Sequence, residues 1–352
     1  MQIPLSRLHF NGVNFQRLKP HDRPQFQYDI GAPLLSDRYT NQAPREQDAA
    51  LREIDLLVIL APPRCFTTLV SAMLGQHPQM YGLPETYLFT SETMQDWWAA
   101  HQRTDRTDGL ARAVAEIMFG SQTEDTVKLA RRWLRERSHY STADVLRRLG
   151  NKVSPLVLVE KTPQVTERIE HMQRIIREFP RARFLHLLRH PFDHLRSRVN
   201  RRLNSLRKVT PTIDIFEAAQ RFRAADPQML WYLCNTNILD FLANVQSEQQ
   251  MRVRGEDLLA DPDRYLRQIA LRLNLRSDAE AIEAMKHPER SPFARFGPRN
   301  APMGGDENFF QQPVLRAAQP VAQSLDAPFP WRRDGAGFAV KVRNLARLFG
   351  YS

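Results

Sequence analysis

The run Leu56-Leu-Val-Ile-Leu60 is continuous and apolar, and Ala61-Pro62-Pro63 ends it abruptly. Such a short, partly β-branched run predicts a strand buried on both faces, as in a parallel sheet. From Thr67 the apolar positions change to helical spacing, with Leu69, Ala72 and Met73, and the pattern closes at Gly75 before Pro78. A strand, a tight loop holding Arg64, and a helix opening on Thr67 and Thr68 aim N–H groups, a cation and two hydroxyls at one point. The usual partner of that geometry is an anion. The loop lacks the G-x-x-x-x-G-K-S/T pattern, so it has no Lys–Ser/Thr pair to hold phosphate and Mg²⁺ together. A phosphate site without a metal is expected.

Three more strands are predicted downstream, at Pro155–Val159, Phe184–Leu188 and Met251–Arg254. Helical spacing separates them: Val165, Ile169, Met172, Ile176 and Phe179 in one stretch, then two long stretches from Ile213 to Ala225 and Pro227 to Val245. Strands alternating with helices give an α/β fold, a parallel sheet covered on both faces, whose ligands bind outside the carboxyl ends of the strands. Arg64, Lys161 and Arg189 each follow a strand and are therefore expected on one edge.

Residues 1–50 alternate polar and apolar positions over short distances and are expected to form a β-rich or irregular extension. Residues 51–352 form the main domain, with a helical insertion at 90–150 that walls the pocket and a Pro/Gly-rich loop and final helix within 291–352. A loop of that length is functional or disordered.

The net charge of +11 calls for anionic partners. The arginines are spread over many segments with no RNA-binding signature, which argues against nucleic acid and leaves an acidic membrane surface or a phosphorylated small molecule. Two cysteines build neither a disulfide framework nor a metal cluster. There is no apolar run near the roughly 20 residues that span a bilayer, and no apolar signal core at the N-terminus. A cytoplasmic protein without a transmembrane segment is expected.

Taken together, these segments resemble the sulfotransferases that use 3′-phosphoadenosine-5′-phosphosulfate (PAPS), over roughly residues 54–275. Pro63-Arg-Cys-Phe-Thr-Thr68 is similar to that family's 5′-phosphosulfate loop, in the branch with Arg after the Pro that includes bacterial and tyrosyl-protein sulfotransferases. Arg189-His-Pro-Phe-Asp, followed by Ser197, is similar to its 3′-phosphate motif. Glu160-Lys161-Thr162-Pro163 and Glu256-Asp257-Leu258 with Asp261-Pro262 resemble two further segments, and the four occur in the family's order. The resemblance implies a P-loop-like three-layer sandwich and a metal-independent, in-line sulfuryl transfer that leaves adenosine 3′,5′-bisphosphate. It implies that Arg64, Cys65, Phe66, Thr67 and Thr68 bind the 5′ end of the nucleotide, and that Arg189 and Ser197 read its 3′-phosphate. Arg64 and Lys161 are implied to stabilise the departing phosphate, and Glu85 to be the general base. His77 and His186 are weaker base candidates, each readable as a capping or core histidine.

The chain departs from the family at four positions. Cys65 replaces a Ser, Phe66 a Gly, His190 an Asp or Asn, and Gly255 a Tyr. Phe66 is harmless at negative φ and strained at positive φ. The acceptor, a small molecule, lipid or carrier-bound hydroxyl or amine, is not readable. The basic stretch Arg196–Lys208 is equally an anion-holding face and a solvated one. Two alternatives stay open: a small-molecule kinase and a non-catalytic nucleotide-binding protein.

Overall fold

The computed structural model describes residues 51–220, 227–316 and 324–352. The extension expected over residues 1–50 lies outside them.

Five strands, β1 (Leu56–Leu60), β2 (Met80–Gly82), β3 (Val157–Glu160), β4 (Arg183–Leu188) and β5 (Gln250–Arg254), form one sheet in the order β2-β3-β1-β4-β5. All pairings are parallel. Alternation along β1 divides its side chains between the two faces. Leu56, Val58 and Leu60 join one hydrophobic cluster and Leu57 and Ile59 the other. The first cluster is covered by α2 (Met94–His101), α3 (Arg106–Phe119), α4 (Glu124–Glu136), α5 (Thr142–Val153), α6 (Ile169–Glu178) and α9 (Pro227–Leu242). The second is covered by α1 (Thr67–Leu74), α11 (Pro262–Arg272) and α12 (Ala279–Met285), with α10 (Gly255–Ala260) leading in. This is a three-layer α/β sandwich with the four-helix insertion α2–α5.

A third cluster fixes the end of the chain. Phe329, Trp331, Phe338, Val342, Leu345 and Phe349, from and around α14 (Val340–Leu348), pack on Leu188, Phe192 of α7 (Pro191–Arg207) and Trp231 of α9. Two short helices complete the described chain, α8 (Ile215–Gln220) and α13 (Glu307–Gln311).

Three elements differ from the sequence reading. The edge strand β2 was not expected, because three residues are too short to show a period. It exists because Met80–Gly82 pairs with Val157–Val159 of β3. The helix expected from Val165 is divided: Pro163–Glu167 is a 3₁₀ turn and α6 starts at Ile169. The expected helix over Ile213–Ala225 starts at Ile215, and its last residues lie outside those described.

Candidate functional site: the loop after β1 and the strand ends around it

The loop between β1 and α1 turns sharply at Arg64 (φ 74°) and Phe66 (φ 59°), both left-handed. Each such turn costs an L-residue on the order of 1–2 kcal/mol, so surrounding contacts must hold them. Phe66 thus has the strained backbone that the Gly-to-Phe difference allowed. It is also the N-cap of α1, with no side-chain cap and no acidic residue in the first turn. The first intrahelical bond runs from Val70 N to the Phe66 carbonyl, so the amides of Thr67, Thr68 and Leu69 are left for another acceptor. Cys65 points the other way: its side chain is fully buried in the second cluster and burial pushes its thiol up. Only its backbone is available to the loop.

Arg64 donates from Nε to Ser197 Oγ at 3.1 Å and from Nη1 to Asp306 Oδ1 at 2.6 Å. Ser197 is therefore brought to the loop of Arg64. Arg189 donates from Nη1 to the Arg64 carbonyl at 2.6 Å and lies over the Phe66 ring, 4.3 Å from its centroid. Its buried Nε has no partner among the described residues.

Lys161 follows β3 and is 1% exposed. Its Nζ donates to Thr68 Oγ1 at 2.9 Å and to Glu85 Oε1 at 3.1 Å. The amide of Asp306 also donates to Thr68 Oγ1, at 3.1 Å. A hydroxyl has two lone pairs and one proton. With both lone pairs engaged, Thr68 keeps its O–H as a donor beside the free amides of α1.

Glu85 accepts from the Tyr87 hydroxyl on Oε2 at 3.1 Å, and its amide donates to the Gly304 carbonyl at 2.8 Å. Gly109 of α3 completes this packing. A Cβ there would fall 1.9 Å from the Glu85 carbonyl oxygen, so only glycine lets α3 meet both the Glu85 loop and Gly304. The insertion also holds the loop before Gly304. Arg112 donates to the carbonyls of Arg295 and Met303, and Arg131 to Asp108 and the Asn300 carbonyl. Behind Lys161, Glu160 is wholly buried, with Oε1 accepting from Thr86 and Thr162. Burial pushes its pKa up to about 7 against those hydroxyls and Lys161.

The two histidines considered as bases are held elsewhere. His77 bridges the Arg276 carbonyl (Nε2, 2.9 Å) and the Gln79 amide (Nδ1, 3.1 Å). His186 is fully buried on β4 with Nε2 2.9 Å from Asn235 Oδ1. His190 caps α7 by accepting from Phe192 N on Nδ1, the role Asp or Asn has at an N-cap. Burial brings it down to about 4, which keeps that nitrogen an acceptor. The His190 amide in turn donates to Glu256, whose other oxygen accepts from Tyr351.

Sequence reading did not find Asp306. The only signal was Gly304-Gly305-Asp306 inside a loop expected to be functional or disordered. Among the described residues, no group of three or more His, Cys, Asp or Glu is placed to hold a metal ion, and no helix is long and apolar enough to cross a membrane.

A family model described as the sulfotransferase family matches residues 57–279. Among solved structures, the chain is similar to the sulfotransferase domain from the curacin biosynthetic pathway. Identity is 21% and the TM-score 0.66, over 86% of this chain and 99% of that one. It is also similar to the sulfotransferase domain from the Synechococcus PCC 7002 olefin synthase, at 24% identity and a TM-score of 0.66, over 87% and 98% of the two chains. At these identities the likeness carries the fold, a P-loop-like α/β sandwich. No curated protein matches the chain. The matched segment takes in the loop of Arg64, Lys161 and Arg189, all five strands and more than half of the sequence, and the chain belongs to the sulfotransferase family.

Proposed function

We propose that this sulfotransferase takes its sulfuryl group from PAPS and passes it to a hydroxyl or amine of a small-molecule, lipid or carrier-bound acceptor. The observation that carries the reading is the position of the Lys161 ammonium. It touches Thr68 on the anion-binding side and Glu85 on the other, 2.9 and 3.1 Å away, so one cation borders both the donor site and a carboxylate base.

The residues fit such a donor. Arg64, the free amides at the start of α1 and the donor hydroxyl of Thr68 converge where a 5′-phosphosulfate would be held. The partnerless Nε of the buried Arg189 is a donor in want of an acceptor, and a ribose 3′-phosphate would supply one. When bound, PAPS supplies the sulfuryl group and a stable bisphosphate leaving group. Lys161 and Arg64 would then neutralise negative charge at the leaving oxygen. Glu85 would take the acceptor's proton on a carboxylate oxygen, each of which keeps a lone pair beyond the bonds from Lys161 and Tyr87. Buried free thiols at Cys65 and Cys234 fit a reducing compartment, and we read the protein as cytoplasmic.

Incubation with sulfur-labelled PAPS and a panel of alcohols, phenols, amines and cell extract tests this reading. Label should move into an acceptor with release of adenosine 3′,5′-bisphosphate. Tight binding of that nucleotide with no transfer to any acceptor would instead identify a non-catalytic nucleotide-binding protein.

A further inference from the structure

Two of the departures from the family pattern, Phe66 and Gly255, are 189 positions apart in the chain and in contact in the fold. A Cβ on Gly255 would fall 2.4 Å from Phe66 Cδ2 and 3.0 Å from Cε2, so the ring occupies the space that a side chain at 255 would take. The same ring carries the Arg189 guanidinium over it, 4.3 Å from the centroid. Arg189 makes no ion pair with any described residue. The acidic groups nearest in charge are engaged elsewhere: Asp193 with Arg196 at 2.7 Å, and Glu256 with the His190 amide and the Tyr351 hydroxyl.

From this arrangement we infer that Phe66 and Gly255 form one coupled pair that positions Arg189 for the ribose 3′-phosphate, an inference that rests on the donor reading above. A carboxylate in the place of the ring would orient the guanidinium but also neutralise it and compete with an incoming phosphate. An aromatic face attracts the cation through its quadrupole and leaves the charge in place. The Arg64 carbonyl does the same from the edge, as a dipole without net charge. Gly255 is glycine because the ring has taken its side-chain volume. The strained backbone of Phe66 is the cost of placing an aromatic ring where the family has no side chain. Phe66 is thus a positioning residue, acting through Arg189.

The test compares binding of adenosine 3′,5′-bisphosphate and adenosine 5′-monophosphate to the full chain by calorimetry. The unmutated protein should prefer the bisphosphate. Phe66→Leu, which keeps bulk and removes the π face, should lower that preference by about 3- to 30-fold, the range of a partly desolvated cation–π contact. Phe66→Gly relieves the backbone strain, so it should fold well and show the same loss. Phe66→Tyr keeps the ring and should keep the preference. Gly255→Ala should displace the ring and weaken the preference; added to Phe66→Gly it should cost clearly less, because only its 3.2 Å approach to the Leu188 carbonyl is left. If Phe66→Gly and Phe66→Leu retain the full preference, the positioning role is wrong and the donor reading stands. If the unmutated protein shows no preference, the donor reading falls and the inference goes with it.

Discussion

Arg64 and Asp306 are 242 positions apart in sequence, yet the guanidinium Nη1 meets the carboxylate Oδ1 at 2.6 Å. The pair is partly shielded, with side chains 11% and 30% exposed. The Asp306 carboxylate therefore sits on the same cation that would hold the anionic end of a donor. Asp306→Asn keeps an oxygen to cap α13, as Oδ1 does now for the Asn308 amide, and removes the competing charge. Affinity for adenosine 3′,5′-bisphosphate should rise about three- to tenfold, about 0.7–1.4 kcal/mol. Unchanged or weaker binding would mean that Asp306 orients Arg64 and does not compete with ligand.

Glu85→Gln should lower kcat by about 10²–10⁴-fold, the usual contribution of a general base. The amide oxygen still accepts from Lys161, so nucleotide affinity should change little. A near-normal kcat would remove Glu85 from the chemistry. A loss of nucleotide binding would show that its part is to hold Lys161 against Thr68.

Gly109→Ala adds one methyl group against the Glu85 backbone. It would meet the Glu85 carbonyl, so α3, the Glu85 loop or Gly304 must move. Overpacking of this kind costs about 1–3 kcal/mol. Thermal unfolding should shift down accordingly, and kcat should fall because the crowded contact includes the Glu85 backbone. A variant with unchanged Tm and kcat would contradict the close packing of the three backbones.

Glu160 gives a pH signature. Its folded pKa is raised from 4.5 to about 7, so between those values the folded state holds a proton that the unfolded state has released. Stability from this group is therefore present below about pH 4.5 and is lost as pH rises to about 7, by up to about 3 kcal/mol. Lys161 opposes the shift and Glu85 adds to it. Glu160→Gln should remove that slope, so that the variant gains on the parent in Tm between pH 4.5 and 7. Parallel Tm curves over that range would show that Glu160 does not titrate there.

Much of the sheet was legible because its information is local. A buried strand such as Leu56–Leu60 needs a continuous apolar run, and the proline stop and helical spacing after it mark the loop that carries Arg64. The placement of Lys161 and Arg189 at strand ends followed from the α/β alternation alone, since parallel strands present their carboxyl ends on one edge. What the sequence could not supply were contacts whose partners are distant in the chain and whose residue types carry no pattern. Met80–Gly82 is a strand only because β3 lies beside it. Gly109 and Gly255 are interpretable only against the Glu85 carbonyl and the Phe66 ring that fill the space above them. Nothing in the pattern around Ser197 shows that Arg64, 133 positions away, donates to its hydroxyl. Asp306 looked like a loop residue and reaches the loop of Arg64 because α3 and α4 fasten the preceding segment, through Arg112 and Asp108 of α3 and Arg131 of α4. Sequence alone determined which segments alternate as strands and helices and which cations end the strands, because hydrophobic period and chain order decide both. Tertiary structure decided which acceptor each donor found, because hydrogen bonds and close packing act over about 3–4 Å and depend on position in space, not on separation along the chain.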